Sequence, residues 1–207
     1  MSTETEDGAG PIPQASRRDR IIGGLFVLGP AQFLLVLLVG ASIVPDYSVH
    51  ANAISDLGVA PSTALLFDAS VVAAGVANVA AGRLAYWRHG RRWLLGVFAL
   101  AGLGSICVGL FPENTGAPHL VAALFAFVFL NVEAIACGFR SRGALRVLGI
   151  LAGLVGLGFL AVFIADAGSG FGALGAGGVE RFVVYPVLLW LIAYGGAHFQ
   201  SGSPESG

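Results

Sequence analysis

The sequence predicts an all-α fold, an integral membrane bundle of six transmembrane helices with both termini in the cytoplasm. Three observations support this: the composition, the number of long apolar segments and the placement of the arginines. Of the 207 residues 56% are hydrophobic and only 11% are charged, with a mean hydropathy of +0.83. A soluble domain carries about a quarter charged residues. The apolar composition predicts the lipid bilayer as the partner of the chain, whereas a net charge of −1 argues against nucleic acid.

Six apolar segments follow one another along the chain. Each approaches the ~20 residues that a helix needs to cross the hydrocarbon core. Because lipid offers no hydrogen bonds to the backbone, runs of this length predict helices. The predicted spans are about residues 21–44, 62–86, 93–111, 119–138, 147–165 and 182–199.

The two ends of the chain differ from this membrane domain, which we place at residues 19–200. Residues 1–18 are polar, acidic at the start and interrupted by Gly and Pro, and residues 201–207 are similar. Such segments bury too little apolar surface to fold, so both are predicted to be disordered cytoplasmic tails. A signal peptide is the alternative for the first apolar segment, but an h-region has only about 7–15 residues. The longer run predicts a retained helix.

The arginines indicate the orientation of the bundle. The chain has no lysine, and ten of its eleven arginines fall on one predicted side. The positive-inside rule places that side in the cytoplasm, and a cell membrane protein with cytoplasmic termini follows. The ten are Arg17, Arg18, Arg20, Arg83, Arg88, Arg91, Arg92, Arg140, Arg142 and Arg146; Arg181 alone falls on the other side.

Polar residues collect on that other side. They come from the stretch YSVHANAISDLG after the first segment, from FPENTGAPH after the third and from VERFVVYP at the sixth. Six of the twelve carboxylates fall there against a single arginine, which favours an outward-facing polar pocket. Its candidate residues are His50, Ser55, Asp56, Asp68, Glu113, His119, Glu180, Arg181 and Tyr185.

A metal site is one chemistry that these residues allow. Histidines with carboxylates suit zinc or manganese. The candidate ligands are His50, Asp68, His119 and Glu180, although their spacing matches no compact metal motif.

Two other interpretations concern the first loop. Ser55 and His119, with Asp56 or Asp68, form a hydrolytic triad if the fold brings them together. Alternatively, Ser55 and Asp56 simply turn the chain into the second helix through loop hydrogen bonds. The sequence leaves both open.

Ionisable side chains inside the apolar segments are costly and tend to mark functional sites. Asp68 is the clearest of them, and its structural alternative is an ion pair with Arg181. For Glu133, near the cytoplasmic end of the fourth segment, we expect a structural ion pair with Arg83 or Arg140.

Three short motifs in a fixed order carry a resemblance to a known family. They are I-S-x-L-G at residues 54–58, F-P at 111–112 followed by His119, and E-R at 180–181. Over about residues 20–200 the chain resembles the DUF998 family, six-helix membrane proteins of archaea and bacteria without an established activity. The first motif is also similar to the I-S-D-x-G element of the six-span FRAG1/DRAM/Sfk1 proteins. The resemblance implies the same topology and places the family markers at the predicted pocket.

The sequence thus leads to three functional hypotheses. The first is a membrane protein whose outward-facing pocket binds a small polar ligand, a lipid headgroup or a cation. The alternative is a membrane-embedded hydrolase acting on a lipid at the outer leaflet, with or without a metal. The third is a transporter. The sequence specifies neither a cofactor nor an oligomeric state.

Overall fold

Six long helices account for most of the chain in the computed structural model, which describes residues 15–87, 91–166 and 172–200. Those residues contain no strand, and each helix is long and apolar enough to cross a membrane. The predicted all-α, six-helix class is therefore confirmed. The helices are α1 (Arg17–Ile43), α2 (Ala64–Tyr86), α3 (Arg92–Leu110), α4 (Ala117–Gly138), α5 (Gly143–Ala165) and α6 (Gly175–His198).

Helix boundaries differ most from the predicted ones at α6, which begins seven residues earlier than the apolar run. α1 and α5 each begin four residues earlier than predicted. The first turns of α6 are rich in glycine and contain Glu180 and Arg181, so an apolar criterion excludes them. Both side chains are nevertheless buried, because the neighbouring loop supplies their hydrogen-bond partners.

The predicted tails lie mostly outside the described residues, which exclude 1–14 and 201–207. The described residues begin at Ala15, and α1 begins two residues later, at Arg17. Ser16 caps that helix by accepting a hydrogen bond from the backbone N–H of Asp19 at 3.1 Å. Arg17 and Arg18, which we placed in the predicted tail, belong to α1.

The helices form a ring in chain order. Each one packs against the next, and α1 closes the ring against α6. α4 also contacts α6 directly, so α5 packs on the outside of these two helices. We call the end of the bundle with residues 44–63, 111–116, 166 and 172–174 the distal end, and the opposite end, where α1 begins and α6 ends, the terminal end. Residues 44–63 are the first distal loop.

Small residues allow α5 to approach α4 closely. A Cβ atom on Gly153 would lie 2.4 Å from the backbone oxygen of Asn131, and one on Gly156 would lie 1.9 Å from Asn131 Oδ1. Close backbone approach of this kind is a main source of helix association in lipid. It fixes α4, and with it His119, relative to the rest of the ring.

Candidate functional site

Arg181 holds the first distal loop against α6. It is 7% exposed, and its Nη1 donates to the backbone oxygens of Val49 and Asn52, both at 3.0 Å. Its Nη2 donates to the Tyr47 hydroxyl at 2.7 Å, which in turn donates to the Ala53 carbonyl. The guanidinium group can do this because it presents several donors in one plane. The first distal loop therefore accepts most of the hydrogen bonds that the charged group of Arg181 donates.

Glu180 and Asp56 fasten the same loop at two further points. Glu180, 4% exposed, accepts a hydrogen bond from the backbone N–H of Ile54 at 2.6 Å. Asp56 Oδ2 accepts from the Ala53 N–H at 3.0 Å and from the Asn52 side chain at 2.9 Å. Residues Ser55–Gly58 form a single 3₁₀ turn between these contacts. The predicted hydrogen-bonded turn is thus present, although α2 begins only at Ala64.

His119 lies in the first turns of α4 and is 5% exposed. Its Nδ1 lies 2.8 Å from the backbone oxygen of Phe111. A carbonyl oxygen only accepts, so Nδ1 carries a hydrogen, and in the neutral imidazole Nε2 then carries the lone pair. The side chain lines an interior cavity, where Nε2 is available as an acceptor.

This cavity lies inside the ring, between α1, α2, α3, α4 and α6. It has about 800 Å³ of atom-free space, including the open space at its mouth. Ser55, His119 and Glu180 line its distal end, and Ser105 and Asn78 lie deeper. The other lining side chains are apolar, among them Phe33, Phe67, Val108, Phe127, Val184 and Leu188.

Two further carboxylates lie at the mouth. Glu113 lies beside Ser55 and Asp56 and interacts electrostatically with His119. Burial raises the pKa of Glu113, and the negative charge of Asp56 raises it further, against the opposing effects of Ser55 and His119. Asp68 also interacts electrostatically with His119. One oxygen of each carboxylate, Glu113 Oε2 and Asp68 Oδ1, is buried without a hydrogen-bond partner.

A second polar group lies at the deep end of the cavity. The Asn78 side chain donates to Glu133 Oε2 at 2.8 Å, and Glu133 is fully buried. The prediction that Glu133 forms an ion pair with Arg83 or Arg140 was wrong. The guanidinium group of Arg83 stacks on the Trp87 ring, 4.0 Å from its centroid, and Arg140 is exposed. Both arginines extend toward the terminal surface, whereas Glu133 points into the bundle.

The second structural alternative, an ion pair of Asp68 with Arg181, is also absent. The two Nη atoms of Arg181 bind the first distal loop and the carbonyl of Gly177 on its own helix. The first distal loop folds over the start of α6. Its backbone carbonyls, and not the Asp68 carboxylate, therefore accept the hydrogen bonds of the guanidinium group.

The structure brings together six of the nine predicted pocket residues. Ser55, His119 and Glu180 line the cavity, whereas Asp56, Asp68 and Glu113 do not line it but lie close to Ser55 or His119. Arg181 is adjacent but holds the loop.

His50 and Tyr185 lie elsewhere. His50 is exposed on the first distal loop, where its ring fills the space above Gly175. Tyr185 packs beside an apolar cluster that contains Val184 and Leu188, and it does not line the cavity.

No metal centre is evident in the part of the chain that the structure describes, where no three His, Cys, Asp or Glu side chains are grouped closely enough to hold an ion. Of the four candidate ligands, His50 is separated from Asp68, His119 and Glu180 by the loop. Two residues at the site were not among the predicted pocket residues. Tyr47 was visible in the stretch YSVHANAISDLG, and Asn78 is an amide within an apolar helix.

Comparison with known proteins gives a match to one family. The family model described as "Protein of unknown function (DUF998)" matches residues 27–197. No curated protein and no solved structure matches the chain. The matched range includes the first distal loop, both residues of the E-R motif and all the residues that line the cavity except Leu25 and Phe26. Since it covers most of the sequence, the chain belongs to the DUF998 family.

Proposed function

We propose that the protein binds a membrane amphiphile, with one hydrocarbon chain in the interior cavity and the headgroup at the distal mouth. The observation that carries this proposal is the distribution of polarity along the cavity wall. Three polar side chains lie at one end, and a long apolar surface continues from them into the bundle. Ligand sites of this kind combine mostly apolar walls with a few polar groups that fix orientation.

The length of the cavity supports a single-leaflet ligand. Its lining on α6 extends from Glu180 to Leu191. At 1.5 Å per residue this distance is ~16 Å. Half of a hydrocarbon core of ~30 Å is ~15 Å, so the cavity matches the depth of one leaflet. Because the arginines concentrate at the terminal end, we assign the distal mouth to the outer leaflet.

Lipid hydrolysis is a second candidate, favoured by the free Nε2 of His119 near Ser55. In such a reaction Ser55 Oγ would attack an ester carbonyl while His119 takes its proton, and the alcohol would leave as the C–O bond breaks and that proton is returned to it. Water, deprotonated by His119, would then attack the acyl-serine and release the acid with free Ser55. Transport is less well supported, because Ser105 is the single polar residue that lines the cavity between its two ends.

The test introduces a leucine at a position of α2 that lines the cavity. The control introduces a leucine at the adjacent position, which faces away from the cavity. Ala74 lines the cavity, whereas Ala73 on the same helix is exposed on the outside of the bundle. The probe is 1-monomyristoylglycerol, bound to the purified full chain and counted by native mass spectrometry. We expect one bound molecule, at least ten-fold weaker binding for Ala74→Leu and unchanged binding for Ala73→Leu.

A second filling variant protects this test against misfolding. Ala123→Leu adds the same volume from α4, which also lines the cavity. If either variant keeps the thermal unfolding temperature of the parent chain and still binds the probe as tightly, the proposal is wrong. Release of myristate that disappears in Ser55→Ala and His119→Gln would instead identify a hydrolase.

A further inference from the structure

We infer that the headgroup is a hydrogen-bond donor, a hydroxyl or an amine, and that carboxylate and phosphate headgroups are disfavoured. This inference rests on the proposed function, since it concerns the ligand of the same cavity. It adds to that proposal the chemical class of headgroup that binds at the mouth of the cavity.

The polar atoms left free around the mouth are acceptors. His119 lies on the cavity wall and is 95% buried, and its Nδ1 hydrogen is already donated to Phe111. In the neutral imidazole its Nε2 therefore presents a lone pair to the cavity. Glu113 Oε2 and Asp68 Oδ1, on carboxylates close to His119, are buried without a hydrogen-bond partner. A buried acceptor without a donor is unfavourable, so a donor headgroup that reaches His119 Nε2 gains from pairing with it.

Carboxylates outnumber basic side chains among the described residues around the distal end of the cavity. Asp56, Asp68, Glu113 and Glu180 lie there with His119 and Arg181. Both Nη atoms of Arg181 are already bound to the first distal loop and to α6. An anionic headgroup would therefore approach an excess of carboxylates, whereas sites for phosphate usually offer free arginine or lysine donors.

The experiment compares four amphiphiles with the same fourteen-carbon chain. They are tetradecylamine, 1-monomyristoylglycerol, myristate and 1-myristoyl-lysophosphatidate, each titrated into the purified full chain in detergent near neutral pH. We expect the amine and the glycerol ester to bind at least ten-fold more tightly than the two anions. Equal or tighter binding of an anion overturns the headgroup assignment alone. Binding of none of the four overturns the proposed function as well.

Matched charge variants show whether the selectivity arises at the mouth. Glu113→Gln should reduce the preference for tetradecylamine over myristate several-fold. Asp46→Asn is the control, because Asp46 is an exposed carboxylate at the same end of the bundle and its φ of 57° suits asparagine. An unchanged preference in Glu113→Gln, or an equal loss in both variants, would contradict the assignment.

Discussion

At the scale of single residues, the distal end of the bundle contains groups with very different surroundings. Arg181 and Glu180 are neighbours in sequence and are both buried, and each is bound to backbone groups of the first distal loop. Glu113 lies near them but keeps one carboxylate oxygen without a partner. Arg181 and Glu180 thus stabilise the loop, whereas Glu113 is a partly buried carboxylate beside the negative charge of Asp56.

These surroundings of Glu113 should make the stability of the folded protein depend on pH. Burial raises its pKa above the ordinary value of 4.5, so above pH 4.5 the folded state holds this proton more tightly than the unfolded state does. Stability from this group is present below pH 4.5 and is lost as pH rises through the raised pKa. Glu113→Gln cannot titrate, so its unfolding temperature relative to the parent should increase between pH 4 and pH 7.

The measurement is thermal unfolding in detergent at several pH values for the parent, Glu113→Gln and Asp46→Asn. Any hydrogen bond lost with the glutamate shifts the curve equally at every pH, so the diagnostic quantity is the slope of the difference. A flat difference for Glu113→Gln, or the same slope for Asp46→Asn, would contradict the prediction.

Some of these residue properties could be predicted from the sequence and others could not. Polar side chains beside apolar runs predicted that Ser55, Asp56, His119 and Glu180 meet at one end of the bundle. The partners of Arg181 were not predictable, because they are backbone carbonyls whose positions depend on how the loop folds. Glu133 was assigned an arginine partner on charge alone, whereas burial selected the amide of Asn78.

At the scale of helices, glycine determines which surfaces of α5 can touch its neighbours. Gly156 faces Asn131 on α4 so closely that a methyl group would overlap the Asn131 side chain. Gly158, two residues further along, has open space around its Cβ position. Since Asn131 is fully buried and donates to the backbone oxygens of Phe127 and Val183, it has little room to move away.

These two glycines form a matched pair for mutation. Gly156→Ala should lower the free energy of unfolding by about 1–3 kcal/mol, the usual cost of overpacking. Gly158→Ala should be neutral or stabilise the helix by up to about 1 kcal/mol, because alanine is the better helix former. Equilibrium unfolding in mixed micelles measures both. Equal effects of the two substitutions would show that helix propensity, and not the α4–α5 contact, sets the outcome.

At the scale of the whole molecule, the number and the type of the helices follow from local properties, the length and the apolarity of each segment. The cavity follows from the ring arrangement, in which α4 touches α6 and leaves α5 outside. No single segment encodes this arrangement. For this reason the six spans could be predicted from the sequence, but the interior space and its apolar wall could not.

The orientation of the ring in the membrane also belongs to the whole molecule, and it decides which leaflet the mouth faces. The positive-inside rule places the arginine-rich terminal end in the cytoplasm. The orientation can be tested with single introduced cysteines. The two native free cysteines, Cys107 and Cys137, are first replaced by alanine. Asn114 is exposed at the distal end and Gln200 at the terminal end, and neither is charged. A membrane-impermeant maleimide should label Asn114→Cys on intact cells and Gln200→Cys only after permeabilisation. The reverse pattern would place the mouth at the inner leaflet, where the amphiphile would have to come from cytoplasmic-side lipid.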